Sequence, residues 1–140
     1  MIKDYLSFAE KLVQKLISGY GFHMVKHDKS AMGEWYVYFE SAEFILGVDQ
    51  DRGGFTSIEL GSKKRIRPRA HMRGPWSMSH LRGYLEGSKD HYKFPNIESE
   101  ALWLESNQNQ LFDSELLNSD ELNKWAAEAS RRLFGQASKK

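Results

Sequence analysis

The spacing of apolar residues changes near Gly21 from a helical period to a strand period, and this change constrains the fold more than any other feature of the sequence. Before it, apolar residues recur at i, i+3, i+4, i+7 and i+8, which predicts an amphipathic helix over residues 4–18. Gly19 is the expected end of this helix, and Gly21 supports a reversal of the chain. After it, the alternation that begins at Phe22 is typical of half-buried strands.

Turn residues divide the alternating region into four predicted strands. Short connections between them predict an antiparallel meander, one face of which has to be covered. The N-terminal helix is the nearest cover, and we expect it to pack on the face formed by Trp35, Val37 and Phe39. The predicted strands are residues 22–27, 34–41, 44–50 and 55–60.

The last third of the chain is predicted to form about three helices. Capping residues and apolar stripes place them from Ser77 to Gly87, from Ile97 to Leu111 and from Ser119 to Gly135. The chain contains no internal repeat and no long linker. We therefore expect residues 1–140 to form a single α+β domain, with 136–140 as a frayed tail.

The absence of cysteine narrows the possible chemistry. With Cys 0 among 140 residues, disulfides, thiolate zinc sites, iron–sulfur clusters and a cysteine nucleophile are excluded. No glycine-rich phosphate loop or nucleophile-elbow motif is present, so no cofactor is expected. No apolar stretch approaches the roughly 20 residues of a membrane span, and the N-terminus has no secretory pattern. These features predict a cytoplasmic protein without a membrane partner.

Charge is divided unevenly along the chain although the formal net charge is only +1. Residues 62–75 contain six bases and no acid, whereas residues 94–123 contain seven acids and no base. Either the two segments neutralise each other, or one of them is a recognition surface. The favoured surface for a protein partner is the acidic run, with candidate residues Glu98, Glu105, Asp113 and Glu115.

Tyr36 and Tyr38 form a second candidate surface for a protein partner. They share the strand face opposite Trp35, Val37 and Phe39. Two alternatives are open for that face: the C-terminal helices cover it, or it remains an exposed aromatic patch. Large exposed patches of this kind usually mark interaction sites.

The five histidines show no catalytic or metal-binding pattern in the sequence. His23 and His27 lie four residues apart, about 13 Å along an extended strand, which is too far to share a metal ion. His71, His80 and His91 are scattered and have no paired carboxylates nearby in the sequence. No metal ligand is predicted, and a Ser/His/Asp site assembled in space remains an alternative.

The order of elements resembles that of small bacterial immunity proteins from polymorphic and contact-dependent toxin systems, and of related bacterial α+β domains. The resemblance lies in the N-terminal helix, the strand meander and the closing helices, with the hairpin Val48-Asp49-Gln50-Asp51-Arg52-Gly53-Gly54-Phe55 as its local motif. It implies a non-enzymatic inhibitor that binds a cognate toxin and occludes it. It assigns no site residue, because these proteins share no fixed functional set.

Two other functions remain open from the sequence. The first is a nucleic-acid-associated protein, since a basic loop beside a tryptophan can bind phosphate backbone. The second is a small enzyme whose site assembles only in the folded chain. The candidate nucleic-acid-binding residues are Lys63, Lys64, Arg65, Arg67, Arg69, Arg73 and Trp76.

Overall fold

The computed structural model describes residues 4–64 and 75–138, the last six of them as backbone only. The fold is α+β, as predicted. The described residues form two N-terminal helices, an antiparallel sheet of five strands rather than the predicted four, in the order β1-β2-β3-β4-β5, and further helices after the sheet. No helix in these two stretches is long and apolar enough to cross a membrane. The elements are α1 (Tyr5–Leu12), α2 (Gln14–Tyr20), β1 (His23–Lys29), β2 (Trp35–Glu40), β3 (Phe44–Gln50), β4 (Thr56–Ser62), β5 (Trp76–Ser77), α3 (Met78–Leu85), α4 (Ile97–Ser106), α5 (Gln108–Leu111), α6 (Ser114–Leu117) and α7 (Asp120–Ser138).

The predicted N-terminal helix is two helices that meet at Val13. Val13 leaves helical geometry, with φ −114° and ψ 20°, but its side chain is buried with the rest of the apolar stripe. The expected end at Gly19 is wrong, since α2 continues to Tyr20 and Gly21 closes it in the left-handed conformation at φ 68°. A glycine takes this conformation without strain, and the Gly21 N–H then reaches the Ile17 carbonyl at 3.1 Å.

The predicted meander is confirmed, and a fifth strand extends it. Strand β5 pairs with β4 over only two residues, Leu60 opposite Trp76 and Glu59 opposite Ser77. Two residues show no period, so the sequence pattern could not predict this strand. The Asp51–Gly54 turn sets the register of the β3–β4 hairpin, in which Gln50 lies opposite Thr56.

One face of the sheet and the helices form the hydrophobic core. Trp35, Val37 and Phe39 are buried, and the Phe8 ring of α1 lies 6.0 Å from the Trp35 ring, so the N-terminal helix covers the predicted face. Neighbouring strands continue this apolar face across the sheet. The other buried residues of the face are Phe44, Leu46, Val48, Ile58 and Leu60.

Caps explain where several C-terminal helices begin. The Ser77 side chain accepts a hydrogen bond from the His80 N–H at 3.2 Å, and the Ser119 hydroxyl accepts one from the Leu122 N–H at 3.2 Å, as predicted. The expected stop at Gly135 is wrong, because α7 continues to Ser138. The predicted helix over 97–111 breaks at Asn107, and the short helix α6 was not predicted.

Glu100 joins α4 to the sheet. Its carboxylate accepts a hydrogen bond from the Ile58 N–H at 3.2 Å, although the residue is only 7% exposed. Burial is the main cause that raises the pKa of Glu100 to about 7; the Ile58 hydrogen bond acts against this rise, and the Asp49 charge adds to it. The bond satisfies a buried backbone donor of β4 beyond the short pairing with β5.

Candidate functional site

The sheet face opposite the core carries half-buried polar and aromatic side chains. Cross-strand pairing places them in two rows: Tyr38, Gly47 and Glu59 in one, and Tyr36, Asp49 and Ser57 in the next. Buried helix residues pack with Trp35, Val37 and Phe39 in one cluster, and neither tyrosine belongs to it. We call this surface the open face and define it by Lys26, Asp28, Tyr36, Tyr38, Asp49, Ser57 and Glu59.

Two tyrosines form the aromatic part of the open face. The Tyr36 and Tyr38 ring centroids lie 5.3 Å apart, with an interplanar angle of 45°. The Tyr38 ring occupies the space above Gly47, where a Cβ would lie only 2.6 Å from a ring carbon. The absence of a side chain at Gly47 therefore allows this ring to rest on the β3 backbone. Glu59 lies opposite Gly47 on the next strand, so the ring extends towards Glu59.

Asp49 and Glu59 form a carboxyl pair beside the Tyr38 ring. Asp49 accepts a hydrogen bond from the Ser57 hydroxyl at 3.0 Å. Burial, and after it the hydrogen bond to Asp49 and the Asp49 charge, together raise the pKa of Glu59 to about 8. Glu59 is therefore mainly protonated near neutral pH. Burial and these two carboxylates also raise the pKa of Tyr38.

A shallow cleft of about 400 Å³ adjoins the tyrosine pair. It lies between Tyr36, Tyr38 and Asp49 on one side and the turn between β1 and β2 on the other. Ser30 and Glu34 line it from that turn. The open face thus combines aromatic rings, carboxylates and a concave border within one surface.

Comparisons with known proteins do not place the chain in a family. No family model, no curated protein and no solved structure matches it. Its function has to be inferred from its own side chains.

The acidic candidate residues are divided between two helices, with Glu98 and Glu105 on α4 and with Asp113 and Glu115 at the start of α6. Glu105 pairs with Lys15 at 4.0 Å, and the Asp113 carboxylate caps α6 by accepting the Glu115 N–H at 2.9 Å. Glu98 and Glu115 are exposed in the first turns of two different helices. Two of the four carboxylates are thus already engaged within the chain.

The described part of the basic segment is also engaged within the chain. Lys63 pairs with Glu40 at 2.7 Å, and Lys64 lies 3.9 Å from Glu43. Trp76 is half-buried, and its indole N–H donates to the Leu117 carbonyl at 2.8 Å, which ties β5 to α6. The four arginine candidates, Arg65, Arg67, Arg69 and Arg73, lie outside the described residues.

A chain of hydrogen bonds joins Ser77, His80 and His91, which the sequence did not show to be close. The Ser77 hydroxyl lies 2.8 Å from His80 Nδ1, and His80 Nε2 lies 2.8 Å from His91 Nε2. The Trp125 ring packs against both imidazoles, with centroid distances of 6.2 and 5.8 Å. No described group of three His, Asp or Glu residues is arranged to hold a metal ion. The pair of His80 and His91 connects α3 to the loop that follows it and, through Trp125, to α7.

The histidine pair predicts a loss of stability in acid. Burial and then His91 lower the pKa of His80 to about 4, and burial lowers the pKa of His91. An unfolded histidine titrates near pH 6.5, so below that pH the unfolded chain binds protons that the native chain does not, and stability falls. We expect the stability deficit of His80→Gln, measured by urea unfolding, to shrink by about 1 kcal/mol from about pH 7.5 to about pH 5, a figure reduced for partial exposure.

Gln110→Ala is the control for this measurement, because Gln110 is exposed and carries no titratable group. Its effect on stability should not change over the same range of pH. A deficit of His80→Gln that is equal at both pH values would show that the pair does not remain neutral in the folded chain.

Proposed function

We propose that this chain is a protein-binding module without chemistry of its own, and that the open face is its binding surface. The observation that carries the proposal is the pair Tyr36 and Tyr38, which lies outside the hydrophobic core and is half-buried beside the Asp49 and Glu59 carboxyls. Tyrosines supply much of the binding energy at protein interfaces, because each buries a large ring and keeps a polar end. The helices pack on the opposite face of the sheet, so neither tyrosine is part of the hydrophobic core.

The charge of the open face favours a basic partner. Of the described residues that define it, Asp28, Asp49 and Glu59 are acidic and Lys26 alone is basic. Complementary charge speeds association and excludes acidic partners. A phosphate backbone would meet carboxylates here, so this surface suits a protein better than a nucleic acid.

In its narrower form, the proposal is that the partner is a bacterial toxin and that binding occludes it. The support is the resemblance in layout to immunity proteins, together with a surface suited to binding rather than catalysis. A toxin that acts on nucleic acid has a basic surface, which would complement the open face. The cytoplasm is then where the chain would act.

The test co-expresses the chain with the protein encoded immediately upstream of its gene and measures growth and the dissociation constant. Tyr36→Ala with Tyr38→Ala should abolish protection and raise Kd about 100-fold, as expected for two central aromatic residues. Tyr36→Ala alone should raise Kd about tenfold, and it keeps the ring that rests on Gly47. A thermal melt of each variant separates lost binding from lost folding.

The matched comparison is the triple variant Glu98→Lys, Glu105→Lys and Glu115→Lys. We expect it to keep protection and most of the affinity. If it loses binding while the tyrosine variants keep it, the acidic run is the interface and the open face is not. If the upstream protein is neither toxic nor bound, the toxin proposal is wrong.

A further inference from the structure

We propose that the open face recognises an arginine side chain of its partner, stacked on the Tyr38 ring and held by the carboxyls of Asp49 and Glu59. The inference rests on the proposed function and names the chemistry of the group that is bound. It follows from two features of the open face: the placement of the Tyr38 ring, and a carboxyl pair that has no positive partner in the described part of the chain.

The ring and the carboxyls are held at neighbouring positions by strand register. Tyr38, Gly47 and Glu59 lie opposite one another across β2, β3 and β4, and Asp49 lies in the adjoining row. Because Gly47 has no side chain, the Tyr38 ring of β2 lies over the β3 backbone in the row that ends at Glu59 of β4. A guanidinium is planar, stacks on aromatic rings and donates two parallel hydrogen bonds to carboxylates. The arrangement offers it both kinds of contact.

The carboxyl pair has no positive partner among residues 4–64 and 75–138. Neither Asp49 nor Glu59 forms an ion pair there, whereas Glu34, Glu40, Glu43 and Glu105 each do. Among the described residues that define the open face, Lys26 is the cation, and its Nζ lies 5.7 Å from the Tyr36 ring centroid. One tyrosine of the pair therefore already attracts a cation of this chain. An arginine from a partner would supply the charge that the carboxyls lack.

The groups around Glu59 decide how binding depends on pH. Asp49 faces it from β3, Tyr36 and Tyr38 from β2, and Lys26 and Asp28 lie farther along the same face on β1. On the core side, the buried Glu100 of α4 also feels the Asp49 charge. Only Lys26 among these carries a positive charge. The proton on Glu59 therefore offsets part of the negative charge of the pair.

Binding of a cation should release this proton to solvent. Burial and Asp49 raise the pKa of Glu59 to about 8, so Glu59 is protonated at pH 7 in the free chain. A bound guanidinium favours the ionised form, so below this pKa its Kd should fall about tenfold for each unit by which the pH rises. Above the pKa, the dependence should flatten.

The experiment titrates the full chain with the peptide acetyl-Gly-Arg-Gly-amide and follows backbone amide shifts by NMR at about pH 6, 7 and 8. Matched peptides carry citrulline or lysine in place of arginine. We expect shifts confined to β2, β3 and β4, and a Kd about tenfold lower at pH 7 than at pH 6. The lysine peptide should bind several-fold more weakly, and the citrulline peptide should not bind.

Glu59→Gln is the diagnostic variant, because a neutral amide resembles the protonated acid and should preserve the fold. It should weaken arginine binding and abolish its pH dependence. Glu43→Gln is the matched control: Glu43 is exposed and distant in register, and its variant should bind as the wild type does.

Three outcomes would overturn the arginine proposal. They are equal binding of the citrulline peptide, equal binding of the lysine peptide, and a wild-type Kd that is the same at pH 6 and pH 7. If any of these occurs while the tyrosine variants still abolish partner binding, the open face remains the interface and only its arginine recognition is refuted. If the tyrosine variants keep full binding, the proposed function itself is refuted.

Discussion

Phe39→Ala should lower the free energy of unfolding by about 3–5 kcal/mol. Phe39 is 1% exposed and sits in the middle of the core face, opposite Leu46 of β3 and Met24 of β1. Removing its ring leaves a cavity between the sheet and the helices that cover it, and close-packed neighbours refill such a cavity only in part. Urea unfolding followed by tryptophan fluorescence measures the loss.

Phe55→Ala is the matched control, because it makes the same substitution at a ring that is 76% exposed in the β3–β4 turn. Its cost should stay within about 0.5 kcal/mol. Equal costs at the two positions would mean that the core face is not packed in solution as described. Because the substitution is the same at both positions, the difference between the two costs measures the effect of burial alone.

Leu16→Ala should cost about 2–5 kcal/mol. Leu16 of α2 is 1% exposed and belongs to the same core cluster as Ala9 and Val13. Leu12, which shares the apolar stripe in the sequence, is only half-buried, so Leu12→Ala should cost less. The same unfolding assay ranks the two variants and shows which edge of the N-terminal helices faces the sheet.

Leu102→Ala provides the reference for a leucine on a helix surface, since Leu102 is 65% exposed on α4. We expect a change within about 0.5 kcal/mol there. A cost at Leu16 as small as this would show that α2 does not dock on the sheet. A larger cost at Leu12 than at Leu16 would reverse the assignment of the buried edge.

Periodicity predicted those parts of the fold in which one face is buried over a long stretch. The alternation in β2 predicted that Val37 and Phe39 are buried and that Tyr36 and Tyr38 face away from them, because the side-chain period of a strand is two. The break at Val13 was not predictable, since no glycine or proline marks it. The predicted helix end at Gly19 was wrong because a glycine can also lie within a helix, at a modest cost in stability.

The open face was predictable in part. Tyr36 and Tyr38 follow from alternation, but the meeting of Asp49 with Glu59 depends on register, which is set by the β3–β4 turn. Counting outward from that turn would have brought the two carboxyls into neighbouring rows. No such counting joins His80 to His91, because the loop between them follows no regular geometry.

Both margins of the sheet discourage growth by strand addition. At one margin, β1 is exposed along most of its length, carries Lys26, Asp28 and Lys29, and has an irregular register between Met24 and Lys26. At the other, Glu100 occupies a backbone donor of β4 that would otherwise be free to pair with another chain. Charge, bulges and covered donors are the usual protections against edge-to-edge polymerisation. A chain that displays aromatic rings on one face is thus protected against growth of the sheet at high concentration, and the partner that we propose would meet it through that face rather than by extending the sheet.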